Sequence, residues 1–408
     1  MHIVHAATAV TVLLATHADA RPEGKTLQAR AYQQAKPALG WNSWNAFGCN
    51  GGSANAAMTA ANQFKSLGLL ALGYNYVNID DCWTSSARDS SGNLQADPSK
   101  WPHGVASVAT TLHGMGLKFG LYGDAGEKTC AGHPGSGGHE TQDAKLLSSW
   151  GVDFWKYDNC YTNCNGQYPQ TCWGVSRSTK AWYQPMGTAL AAVSHPILFS
   201  LCSWGQDNVW TWGKTVGGSS WRMANDISDS WSSVASIANA AAGIASYAGP
   251  DGFNDLDMLE IGNGGLSAAE ERAHFGLWAI AKSPLIIGTD LSKISASSLA
   301  ILKNAGLIAI NQDSLGKAAS YFHPKNVAGP TSGQLYPYWA GPLSDGVVLG
   351  LVASNGAQSF TVNFADVPGL GAGSFAWKEM YSGKTGTGTT VSISLASHDM
   401  AVYKVTKS

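Results

Sequence analysis

The chain has 408 residues, a formal net charge of −2 and only 13% charged side chains, with no run of Lys or Arg. That length can bury one large domain and a smaller one, while the near-neutral charge excludes nucleic acid and acidic membrane surfaces as partners. Low charge with 48 Gly and 16 Trp suits a loop-rich extracellular protein that handles a neutral, hydroxylated ligand.

Residues 1–20 read as a signal peptide. Ala6 to Thr16 is a short apolar run, and Ala18-Asp19-Ala20 places small residues where a signal peptidase reads them. Residues 21–37 follow as an N-terminal extension. No later apolar stretch reaches the roughly 20 residues of a membrane span, so no membrane partner is expected. Seven cysteines (Cys49, Cys82, Cys130, Cys160, Cys164, Cys172, Cys202) fit an oxidising compartment with one thiol left over. The chain has no CxxC pair and its His residues are scattered, so neither a zinc site nor any other metal or cofactor is expected.

Residues 38–314 alternate short β-rich runs with helical stretches. Strands are predicted at Ala38–Trp41, Tyr76–Asp80, Lys118–Tyr122, Phe154–Tyr157, Pro196–Cys202, Ser220–Met223, Gly252–Asn254 and Pro284–Gly288. Helices are predicted between them, at Ala54–Leu72, Thr141–Trp150, Thr179–Val193, Ser232–Ala245 and Ala268–Ala281 among others. Eight β-then-α units point to an α/β fold, a (β/α)₈ barrel. A doubly wound open sheet is disfavoured because no Gly-x-Gly-x-x-Gly turn follows the first strand. The strand ends lead into Asn42-Ser43-Trp44, Asp80 to Trp83, Tyr122 to Asp124, Asp158 to Cys160, Ser203-Trp204, Asp226 and Asp257-Met258. Carboxylates and Trp residues therefore gather at the C-terminal face, where a barrel builds its active site. Residues 315–408 lose the long helices. Period-2 runs at Gly346–Val352, Ser359–Phe364, Thr390–Leu395 and Met400–Val405 predict an antiparallel β-sandwich that packs against the barrel and stabilises it.

Two segments carry the chemistry. Asp158 is the candidate nucleophile. Lys156 alternates with it along the strand, so both side chains point to one side, and the ammonium is expected to keep Asp158 ionised. The competing reading is a buried Lys–Asp pair that serves packing only. Asp226, ending another strand candidate, is the acid/base, and Arg222 four residues earlier binds substrate or orients an acid. A pair of carboxylates is the minimum equipment of a retaining glycosidase. Retention calls for a separation of about 5 to 5.5 Å, and inversion for about 6.5 to 9.5 Å. Asp80-Asp81 suits bidentate acceptance from vicinal sugar hydroxyls better than a cation, since no loop has EF-hand spacing. Trp44, Trp83 and Trp204 offer flat apolar surfaces to a pyranose ring.

These residues, with Leu39 to Trp44, Asn78 to Trp83, Lys156 to Cys160, Trp221 to Asp226, Asp257 to Asn263 and Glu271 to Gly288, resemble the melibiase-type α-galactosidases. Eukaryotic members, fungal ones especially, are the most alike, and the resemblance runs from about Ala38 to Asp313 and more loosely through the tail. It implies a retaining exo-α-galactosidase in a (β/α)₈ barrel with a C-terminal β-sandwich. By position, Asp158 is the nucleophile and Asp226 the acid/base. Trp44, Asp80, Asp81, Lys156, Arg222 and Asp257 contact substrate, with Tyr122 and Met258 on the pocket wall. Asp80 and Asp81 would hold the galactose 4- and 6-hydroxyls. The resemblance also implies disulfides Cys49–Cys82 and Cys130–Cys160. Cys164–Cys172 makes a third pair, leaving Cys202 free beside the sugar. Cys202, Ser203 and Trp204 complete the substrate-binding set. Ser203 stands where many α-galactosidases carry a larger polar residue near the sugar 2-position. The family's α-N-acetylgalactosaminidases use Ser there with a small residue three positions on, where this chain has Gln206. N-acetylgalactosaminidase activity is therefore the alternative.

Overall fold

The computed structural model describes residues 35–162, 177–329 and 333–408. The expected signal peptide and the Cys164–Cys172 pair lie outside them. Eight short strands run parallel in one sheet: β1 (Leu39–Asn42), β2 (Tyr76–Asn78), β3 (Lys118–Asp124), β4 (Phe154–Asp158), β5 (Leu198–Leu201), β6 (Ser220–Arg222), β7 (Phe253–Asp255) and β8 (Leu285–Ile287). Neighbours follow chain order, and β8 returns to pair with β1. The ring closes just past β7, where Leu259 bridges Ile287 in parallel. There Leu259 N donates to Ile286 O at 2.8 Å and Gly288 N donates to Leu259 O at 2.9 Å. The expected (β/α)₈ barrel is present.

Nine α-helices accompany these strands among the described residues: α1 (Trp44–Phe47), α2 (Ala54–Ser66), α3 (Val105–Gly114), α4 (Glu140–Trp150), α5 (Thr179–Ala191), α6 (Trp231–Ala242), α7 (Ala268–Ile280), α8 (Ala296–Leu302) and α9 (Ala305–Asn311). In α2 the Ser53 side chain accepts from Ala56 N, and Ala57, Ala60, Ala61 and Phe64 form one buried stripe at helical spacing. The predicted extension of this helix to Leu72 fails at Gly68, whose φ of +72° ends the helical path. The fifth unit also departs from expectation. After β5 come only two short 3₁₀ segments, Gln206–Thr211 and Gly213–Val216, because Asp207 and Asn208 adopt left-handed φ values of 51° and 53° and glycines break the run.

Strand periodicity of two positions the site. On the lumen side, Tyr76, Phe154, Leu198 and Ile286 form an apolar plug with Ala38 and Met258. One step toward the C-terminal face the same side carries Asn78, Lys156 and Ser200, and the next step carries Asp80, Asp158 and Cys202. The opposite faces, with Trp41, Val77, Phe119, Trp155, Tyr157 and Phe199, pack into the main core with the helices. Gly123 permits this on β3, since a Cβ there would lie 2.0 Å from the Trp155 ring.

The C-terminal strands are β9 (Ser320–Tyr321), β10 (Tyr338–Leu343), β11 (Gly346–Val352), β12 (Gln358–Asn363), β13 (Phe375–Glu379), β14 (Thr385–Gly388), β15 (Thr390–Leu395) and β16 (Met400–Lys407). Six form an antiparallel sheet in the order β14-β13-β16-β11-β10-β9, and β12 pairs with β15 as a second layer. Phe360, Val362, Val391 and Leu395 of the small layer share a core with Leu349, Leu351, Tyr403 and Val405 of the large one. The alternate residues Val348, Val352, Met400 and Val402 belong to the barrel's core instead. Arg272 of α7 adds a two-point ion pair with Asp399, Nε–Oδ1 at 2.9 Å and Nη2–Oδ2 at 2.7 Å. Among the described residues, the sandwich lends the pocket no side chain.

Candidate active site

A pocket of about 510 Å³ opens at the C-terminal face of the barrel. It brings together Trp44 after β1, Asp80 and Asp81 after β2, Tyr122 on β3, Lys156 and Asp158 on β4, Trp204 after β5, Arg222 and Asp226 at β6, and Asp257 and Met258 after β7. Several strand ends thus supply one site, each through the last inward-facing residue or the first residues of its loop. Three residues of these strand-end segments, Cys82, Trp204 and Asp257, have positive φ (68°, 53° and 81°).

Asp158 is buried. It accepts from the Tyr122 hydroxyl at 3.0 Å and from Asn159 N at 3.0 Å. Burial pushes its carboxyl up to about 6, against the opposing pull of Lys156 and with support from the charges of Asp226 and Asp80. Lys156 does favour the ionised form of Asp158, as expected, but its pull is the smaller effect. Lys156 gives its ammonium to Asp80 Oδ2 at 2.8 Å, and desolvation of Asp158 outweighs what attraction remains. Asp80 also accepts from Asn42 Nδ2 at 2.7 Å, and its Oδ1 takes the Asp81 N–H at 3.0 Å. Asp81 accepts from Cys82 N at 2.7 Å and Ala131 N at 2.9 Å; burial nevertheless raises it. The adjacent acids coexist because one holds a cation and the other holds backbone donors.

Arg222, 5% exposed in its side chain, lies 2.7 Å from both Asp226 Oδ1 and Asp257 Oδ2. Asp226 is 73% exposed at its side chain, facing the mouth. Partial desolvation by the surrounding pocket walls would raise it, but the charge and hydrogen bond of Arg222 hold it below the usual carboxylate range. Asp257 is raised by burial despite Arg222, and also accepts from Ile227 N at 2.8 Å. The two candidate catalytic carboxyls are thus displaced in opposite directions within one pocket.

Three expectations are modified by position. Trp83 is not on the pocket wall. It is 1% exposed, donates its indole N–H to Tyr122 O at 2.8 Å and packs edge-on to Trp150. Cys202 is the free, buried thiol expected, but it faces a small cavity beneath the main pocket, with Arg222 Nη1 at 3.6 Å from its sulfur. Ser203 is fully buried and lines neither cavity. Gln206, three residues on, accepts from Asn159 Nδ2 at 2.9 Å. The disulfides Cys49–Cys82 and Cys130–Cys160 form as expected, and Cys130 lies on the pocket wall.

Other residues join the site unforeseen. Asn45 and Glu260 line the pocket and hydrogen-bond each other. Glu260 also accepts from Asn263, and burial pushes it up to about 7 against both bonds. Asp124 is paired in register with Asp158 and accepts from Gly126 N at 2.7 Å and Cys160 N at 2.9 Å, pinning the chain just past the nucleophile candidate. Burial and the neighbouring Asp158 raise it well above the ordinary carboxylate value. The only trace of these roles in the sequence is that the residues fall in the strand-end segments.

A family model described as alpha galactosidase A matches residues 36–313. The chain belongs to this melibiase family. A second model, the alpha galactosidase C-terminal beta sandwich domain, matches residues 333–405. The chain is 44% identical over 405 residues to "Probable alpha-galactosidase B" of Penicillium simplicissimum, covering 90% of this chain and 93% of that one. Its structure resembles alpha-galactosidase I from Mortierella vinacea, with a TM-score of 0.83 at 34% identity over 92% of this chain and 98% of that one. It also resembles an alpha-galactosidase from Saccharomyces cerevisiae with raffinose, with a TM-score of 0.82 at 31% identity over 92% and 98% of the two chains.

Proposed function

We propose that the chain is a retaining exo-α-galactosidase that releases terminal α-linked galactose from oligosaccharides or polymer side chains. The observation that carries this is that one pocket, at the strand ends of a melibiase-family barrel, holds both Asp158 and Asp226. Asp158 attacks the anomeric carbon while Asp226 gives its proton to the departing glycosidic oxygen. Asp226 then takes a proton from water, whose oxygen displaces Asp158 and restores the starting configuration. Asp80 and Asp81 accept hydroxyls of the sugar, held apart from each other's charge by Lys156 and by the Cys82 and Ala131 N–H groups. Trp44 and Met258 supply apolar wall to the ring faces. The buried, off-wall position of Ser203 and the engagement of Gln206 by Asn159 weigh against an N-acetyl specificity. Export of the chain is supported by the disulfides Cys49–Cys82 and Cys130–Cys160.

The test is hydrolysis of the p-nitrophenyl α-glycosides of galactose and N-acetylgalactosamine, with NMR identification of the first-formed anomer. Galactose preference, α-galactose released first, and loss of turnover in Asp158→Asn are expected. Full activity in that variant, or β-galactose released first, would refute the assignment.

A further inference from the structure

A second cleft, of about 270 Å³, lies outside the catalytic pocket between α2 and the loop after β8. One short ridge separates the two. In α1 and the turn that follows it, Trp44, Asn45 and Gly48 line the catalytic pocket, while Phe47 and Asn50 line the cleft. Both cavities border the segment that follows β1. Between these lining residues lies Gly48, where an added Cβ would meet nothing within 4 Å.

The cleft's chemistry is that of a neutral hydroxylated ligand. Phe47 stands against the Trp41 ring, with centroids 6.3 Å apart, and gives an aromatic wall. Exposed Asn50, Asn55 and Thr59 offer amide and hydroxyl groups from the opposite elements. The single acid, Asp290, is already paired with Lys293 at 3.0 Å and with Ser292, so no net charge is left to select an ion. The volume is close to the ~300 Å³ lower bound of small-ligand pockets, enough for about one sugar ring.

The geometry points to a secondary carbohydrate site that takes a neutral hexopyranose of the same substrate chain whose terminal galactose occupies the catalytic pocket. This rests on the glycosidase reading above for its substrate, but not for its binding test. A polymer backbone leaving the pocket over Gly48 reaches the cleft, and a single-ring aglycone does not.

Two measurements test it. Binding of galactose-free β-mannopentaose is followed by NMR in saturating galactose, which keeps the catalytic pocket filled. Binding to the unaltered protein that is weakened in Asn55→Ala and abolished in Thr59→Trp is expected; no binding to the unaltered protein overturns the site. Initial rates are then compared on p-nitrophenyl α-galactoside and on galactosylated mannopentaose. Asn55→Ala should raise KM on the long substrate about fivefold, the ratio for one lost sugar contact, and leave the short substrate unchanged. Equal effects on both substrates overturn the proposal, and the gentler Asn55→Ala change guards against misfolding of Thr59→Trp. If neither substrate is hydrolysed while mannopentaose still binds, the catalytic reading fails and the site stands.

Discussion

The Tyr122→Phe variant removes one hydroxyl and isolates its hold on Asp158, the proposed nucleophile. Tyr122 is buried and donates to Asp158 Oδ2 at 3.0 Å, a bond that favours the carboxylate over the acid. A hydrogen bond to a charged group is worth roughly 1.5 to 3 kcal/mol, and one pKa unit is about 1.4 kcal/mol. Losing it should carry Asp158 from about 6 to roughly 7 to 8. In the proposed mechanism, turnover requires Asp158 ionised and Asp226 protonated. In the empty pocket the single shared proton favours Asp158, because Arg222 holds Asp226 low. The productive arrangement is then a minor tautomer, and kcat/KM should form a bell whose alkaline side lies near pH 6. Raising Asp158 makes that tautomer rarer. At and below the optimum, kcat/KM should drop about 10- to 100-fold and the alkaline side should move upward. Above both values neither acid holds a proton, and the productive fraction depends on Asp226 alone. The two enzymes should therefore converge above roughly pH 8. The assay is a pH profile of kcat/KM on p-nitrophenyl α-galactoside, with circular dichroism to confirm folding. A loss of equal size at every pH would refute the reasoning and assign the hydroxyl to substrate contact alone.

The same burial sets the pH dependence of stability. Asp158 and Asp255 at about 6 and Glu260 at about 7 all bind protons more tightly folded than unfolded. Their contribution is complete below the ordinary carboxylate range and lost as pH rises through 6 to 7, so the Tm should fall by several degrees between about pH 4.5 and 7.5. A rising Tm over that interval would contradict it. Trp83→Ala should cost about 3 to 5 kcal/mol by opening a core cavity, seen in denaturant unfolding, while Trp83→Phe retains the KM for galactosides. A large KM change in the Phe variant would return Trp83 to the sugar site. Arg272→Met should lower the Tm by removing the two-point tie to Asp399, with kcat/KM at 25 °C unchanged. A fall in kcat/KM at that temperature would mean the sandwich shapes the pocket after all.

Much of the architecture was legible because it is written locally. Alternating β and helical runs, and acids placed where strands stop, do not depend on distant residues, so Asp80, Asp158, Asp226 and Asp257 could be assembled on one face in advance. The fifth unit carries no α-helix because its path turns on left-handed Asp207 and Asn208, which share a composition with ordinary helix starts. Trp83 and Trp204 look alike in sequence, each just past a strand. Only packing sends the first into the core and leaves the second at the pocket.

The sequence by itself determined the barrel, the sandwich and the set of carboxylates, since periodicity and strand-end chemistry are short-range properties. Tertiary structure alone decided which cation serves which acid. Lys156 reaches Asp80 across the lumen instead of its strand neighbour Asp158, and Arg222 divides itself between Asp226 and Asp257. Protonation follows from those distances and from burial, which sum over residues far apart in the chain, and so the opposite displacement of Asp158 and Asp226 exists only in the folded protein.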